Sequence, residues 1–150
     1  MVIAIEQAIV SRLATALAPL PVDALPARGY QFSHARGAAV VLASRLAAGP
    51  SRDTAVSVQE AELTVEVALY GRSLREGGGV WTLFDAARRS LLSWRPEPGA
   101  TPLRLADARI TEMDDGVWLL ATAWQTRIPL VPDLDAGSEP LLTRVTYEEI

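Results

Sequence analysis

Residues 58–70 read VQEAELTVEVALY, and this stretch decides the fold class. Ala61, Leu63, Val65, Val67 and Leu69 are apolar, and Glu60, Glu62, Thr64 and Glu66 fall between them. Side chains of a β-strand point alternately to opposite faces, so strict alternation predicts one face against a core and the other toward water or a partner. Upstream, Gly37 to Ala43 (GAAVVLA) predicts a short buried strand, and GPSRDT at 49–54 predicts a break after it. Downstream, Leu103–Met113 and Val117–Ile128 read as two arms of a hairpin. Asp115-Gly116 between them is the dipeptide that a two-residue primed turn favours. The second arm, VWLLATAWQTRI, starts apolar on both faces, the mark of a strand that is central in its sheet or covered by a partner.

Two segments carry the helical period instead. In residues 2–18, Ile5, Ile9, Leu13, Ala16 and Leu17 recur at helical spacing, and Pro19 and Pro21 stop the run. From about residue 80 to 93, Val80, Leu83, Phe84, Ala87 and Leu91 continue to Trp94 as one stripe. Residues 19–29, PLPVDALPARG, read as a loop, Gly77-Gly78-Gly79 as a flexible connection, and RPEPGATP at 95–102 as a proline-rich turn. Residues 129–150 read as an irregular C-terminal arm in which Leu141–Tyr147 could form a last short strand. The order of elements predicts an α+β domain: a mainly antiparallel or mixed sheet with two amphipathic helices packed against it.

The chain has 150 residues, enough for one domain that buries roughly 70% of its unfolded surface. Its net charge of −4 argues against nonspecific binding to nucleic acid or to an anionic membrane. No run approaches the ~18 apolar residues of a membrane span, and the N-terminus lacks the basic start of a signal peptide. All fourteen basic residues are arginine, as a GC-rich genome produces, and as an interface that pairs guanidinium with carboxylate also produces. Cysteine is absent, so no disulfide, thiolate nucleophile or cysteine metal site can form, and a reducing cytoplasm is permitted.

The motifs that could carry chemistry are weak. His34, the one histidine, stands beside Ser33 without an acid placed to orient it, so an exposed polar residue is the better reading. The glycine run has neither the spacing nor the lysine of a phosphate loop. Glu112, Asp114 and Asp115 lack the alternating ligands of a calcium loop and suit turn chemistry. Glu60, Glu62 and Glu66 share one strand face, which is a solvated face or an acidic surface directed at a partner or channel. Among Trp81, Trp94, Trp118 and Trp124, core packing is the first expectation and an interface the main competitor. No catalytic, cofactor or metal site is predicted.

The layout as a whole has a likeness. IEQAIVSRLATAL is followed by GAAVVLASR, by VQEAELTVEVALYGRSLR, by GGVWTLFDAARRSLLSWRPEPGATPLRL, and by EMDDGVWLLATAWQTRIPLV. Over residues 3–131 this resembles the small tail terminator or tail completion proteins of Mu-like contractile-tailed phages. Its most specific part runs from Gly79 to Leu105. The resemblance implies a tail-terminator-like fold and a non-enzymatic subunit at the head-proximal end of a virion tail, assembled in the host cytoplasm. It implies a ring, hexameric in other terminators, that caps the tail tube and stops its polymerisation. Its partners would be itself, the tube protein, the head–tail connector or stopper, and the sheath protein, with DNA only as passing cargo. On that reading Arg72 and Arg75 are the first candidates for subunit or tube contacts. Trp118, Trp124, Leu141, Leu142 and Tyr147 come next, and Glu60, Glu62 and Glu66 are candidates to face the lumen. Another head–tail connector or a contractile injection component is the second expectation, and a small enzyme the third, which predicts a deep pocket with converging polar groups.

Overall fold

The computed structural model describes residues 1–25, 37–51, 58–113 and 116–132. Two helices, α1 (Val2–Ala16) and α2 (Val80–Leu91), lie on a five-stranded sheet. The strands are β1 (Val22–Ala24), β2 (Ala38–Ser51), β3 (Gln59–Gly71), β4 (Arg104–Glu112) and β5 (Trp118–Leu130), in spatial order β1-β2-β3-β5-β4.

The alternation at 61–69 does what its period dictates. Ala61, Leu63, Val65, Val67 and Leu69 are buried, and their antiparallel partners on β5 are Ile128, Thr126, Trp124, Thr122 and Leu120, all buried too. One face of the two central strands is therefore a continuous core wall, and β5 sits between two strands as its two-sided apolar start predicts. The two polar members of that wall satisfy themselves. Thr122 Oγ1 donates to the Val67 carbonyl and accepts from the Trp124 indole, and Thr126 Oγ1 donates to the Thr101 carbonyl.

Ile5, Ile9 and Leu13, four residues apart, form the buried stripe of α1; Val80, Leu83, Ala87 and Leu91 form that of α2. Ala87 apart, each such side chain contributes about 1.5–3 kcal/mol relative to exposure, more than helix propensity supplies. The helices are also tied to each other. The Arg12 guanidinium stacks 4.6 Å from the Trp94 ring centroid while its Nε donates to the Ser90 carbonyl.

Four local expectations are corrected. The proline-rich stretch 19–29 is not all loop: Val22–Ala24 pairs parallel with Ala39–Val41, which makes the sheet mixed. Pro21 stands just before this strand, where no ladder hydrogen bond is lost. The strand at 37–43 does not break at 49; β2 runs on to Ser51 by taking up register shifts between Ala43 and Arg45 and between Ala48 and Ser51. Pro50 is tolerated because this part of β2 has no neighbour beyond it among the described residues. The hairpin does not close in two residues. The Met113 N–H donates to the Val117 carbonyl, so three residues intervene, and Gly116 takes the left-handed φ of +70° that such loops need. Finally, the triple glycine is no slack connection. Gly78 has φ +83°, and a Cβ on Gly79 would stand 2.9 Å from the Glu76 and Leu74 carbonyl oxygens.

Candidate functional site

The β3–α2 loop carries both arginines picked from the sequence. Val80 and Trp81 donate their N–H groups to the Ser73 and Leu74 carbonyls, and Gly79 donates to Glu76. The loop thus folds back on the start of α2 and occupies donors that would otherwise be free to hold an anion. Arg72 and Arg75 are exposed on it and look into different depressions. Arg72 lines an open groove of about 700 Å³ with Glu76, Gly77, Pro19 and Leu83, between the end of α1 and the side of α2. Arg75 lines a shallower depression with Trp81, Asp85 and Arg89.

The second depression contains what sequence reasoning missed. Trp81 is 42% exposed, stands edge-on to Phe84 at 5.8 Å, and is flanked by arginines and by the Asp85–Arg88 pair at 3.3 Å. Its signal was present in the sequence: it falls outside the 80, 83, 84, 87, 91 stripe. The tryptophans named as interface candidates sit elsewhere. Trp124 is 0% exposed, so it is a core residue and not a contact surface, a correction that follows from its pairing opposite Val65 under the helices. Trp118 is half-buried at the end of β5 beside the core. Leu141, Leu142 and Tyr147 lie outside the described residues, as do Ser33, His34, Asp114 and Asp115.

The helix-free face holds Glu60, Glu62 and Glu66 together, but not alone. By register, Arg127 faces Glu62, Gln125 faces Thr64, and Arg104 faces Gln125. Arg104 reaches across to Glu62 at 2.9 Å, and Asp107 and Arg109 gather near Glu66. The face is a lattice of both signs, not an acidic strip. At its upper end the Tyr70 phenol is pushed above the usual 10.0 by burial. No described cluster of carboxylates or histidine is arranged to hold a metal. No described helix is long and apolar enough to cross a membrane.

A two-helix layer on one face of a five-stranded mixed sheet, with polar surfaces and shallow depressions, defines the class. The chain belongs to the Gp37 protein family, whose model matches residues 9–149. Among solved structures it is similar to a chain in the virion of a native gene transfer agent particle. The TM-score is 0.56 at 9% identity, over 83% of this chain and 94% of that one, a likeness of fold. No curated protein matches.

Proposed function

We propose that this protein is a non-enzymatic virion subunit, a tail terminator that forms a ring on the end of the tail tube. The observation that carries the proposal is the family membership together with a fold that a chain of a gene transfer agent virion shares over nearly its whole length. The surfaces suit assembly. The Arg75–Trp81–Asp85–Arg89 patch combines an exposed indole with arginines, the residue types that dominate protein interfaces. The ring, a hexamer on this reading, would cap the tube and stop its growth. It would offer its other side to the head–tail connector or stopper and hold the last sheath ring in a contractile tail. It acts by shape and surface complementarity, at the head-proximal end of the tail, with DNA as cargo.

Light scattering of the purified protein, alone and mixed with its tail-tube protein, tests this. A hexamer, or a monomer that becomes a ring on tube ends and halts their growth, is the expected result. A monomer that leaves tube polymerisation unchanged would overturn it and favour the second reading, another head–tail connector or injection-system component.

A further inference from the structure

The sheet ends in two edges that no described strand covers, and their offset has a geometric meaning. On one side β4 is bonded only to β5. On the other, β1 covers β2 only at Ala39–Val41, and Glu6 Oε2 accepts the next outward N–H, from Ala43, at 2.8 Å. Beyond that point Arg45–Ala48 is a regular stretch between two register shifts. It is level with the lower half of β3, since Ala48 pairs with Ala61. β4 is regular from Asp107 to Glu112 and level with the upper half, since Ala108 pairs with Thr122 and Thr122 with Val67.

We propose that in the ring β4 of one subunit pairs antiparallel with Arg45–Ala48 of the next, with Ile110 opposite Leu46 and Ala108 opposite Ala48, making one continuous β-cylinder. This rests on the ring reading above. Four observations carry it. Following the pairings across the sheet, β4 runs opposite to β2, so the joint continues the antiparallel order. Side-chain parity is right: Ile110 and Leu46 both lie on the helix-bearing side, and both are large exposed hydrophobics, at 37% and 44%. The joint stops where β1 and Glu6 begin, so nothing described has to move. The last observation is the tilt. In this register the neighbour is displaced along the strands by the separation of Val67 and Ala61, about 20 Å at ~3.4 Å per residue. It is displaced across them by four strand spacings, about 19 Å. Strands so offset lie at about 45° to the ring axis, at the top of the ~35–45° that a closed cylinder requires.

In this cylinder the helical layer is assigned to the outer side, where two helices per subunit have the most room. Its wall is the helix-free face, so the lattice of Glu60, Glu62 and Glu66 with Arg104, Arg109 and Arg127 lines the channel. A six-subunit ring would hold twenty-four strands at a backbone radius of roughly 26 Å.

The chain has no native cysteine, which makes the joint testable by disulfide trapping. The two positions stand at opposite edges of one subunit, three strand spacings or about 14 Å apart across the sheet and further along it, too far for an internal bond. The doubly substituted chain, Ala48→Cys with Ala108→Cys, assembled with tube protein and mildly oxidised, is expected to give a covalent ladder ending at the ring. Each single variant is expected to give none. Charge exchange supplies a second readout. Leu46→Glu or Ile110→Arg alone is expected to weaken ring assembly at least tenfold without changing the circular dichroism spectrum, and the pair together to restore it. Rings that form without a ladder, and that tolerate both single charges, would overturn the joint and leave the ring reading standing. Covalent dimers from Ala108→Cys alone would mean β4 pairs with β4 and would overturn it as well. If the wild-type chain makes no ring, both fall together.

Discussion

Single residues here divide between those used inside the subunit and those left outward. Trp124 is used inside: its indole is wedged between the central strands and the helices and bonded to Thr122. Trp124→Ala is expected to cost about 3–5 kcal/mol in urea unfolding, enough to threaten a domain of this size. Trp81→Ala leaves a half-exposed site and is expected to change stability by less than about 1 kcal/mol while reducing co-assembly with partner proteins, measured in the same mixing experiment. Tyr70 gives a pH signature. Its folded phenol holds its proton above the value near 10.0 that an unfolded chain would have. The stability linked to that proton is fully present below about pH 10 and is lost as pH rises through the folded value. Urea melts between pH 9 and 11 should therefore decline more steeply for the wild type than for Tyr70→Phe.

At the scale of elements, two contacts decide how the helical layer is seated. Arg12 holds α1 to α2 through Trp94 and Ser90, and Arg12→Ala is expected to cost about 1–2 kcal/mol in thermal or urea unfolding. Glu6 accepts the Ala43 N–H, and its removal in Glu6→Ala leaves a part-buried donor unmet, at about 1–2 kcal/mol. The long periodic elements were legible in the sequence. β3 announces itself by alternation, α2 by its stripe, and β5 by being apolar on both sides. The failures share a cause, which is pairing at a distance. Val22–Ala24 is too short to show a period and is a strand only because Ala39–Val41 offers it a ladder. Pro50 reads as a breaker until it is known that no described strand lies on that side of β2. The acidic strip at 60–66 looked purely negative because its arginine partners come from β4 and β5, some forty to sixty residues away in sequence. Exposure of a tryptophan depends on how helices and sheet are laid on each other, which leaves Trp81 of α2 outward and buries Trp124 of β5.

At the scale of the whole molecule, the connectivity bears on how the chain reaches this state. The two strands at the centre of the sheet, β3 and β5, are not neighbours in sequence; α2 and β4 are made between them. The β2–β3 hairpin can form early from local contacts. The core wall of Val65 against Trp124 cannot close until the polypeptide has looped back over some sixty residues. A topology weighted to such distant pairings folds in the range of milliseconds to seconds, not microseconds. During that interval the outer side of β3 stands open and apolar, as an aggregation-prone edge. Refolding yield should accordingly fall with protein concentration well before native stability does.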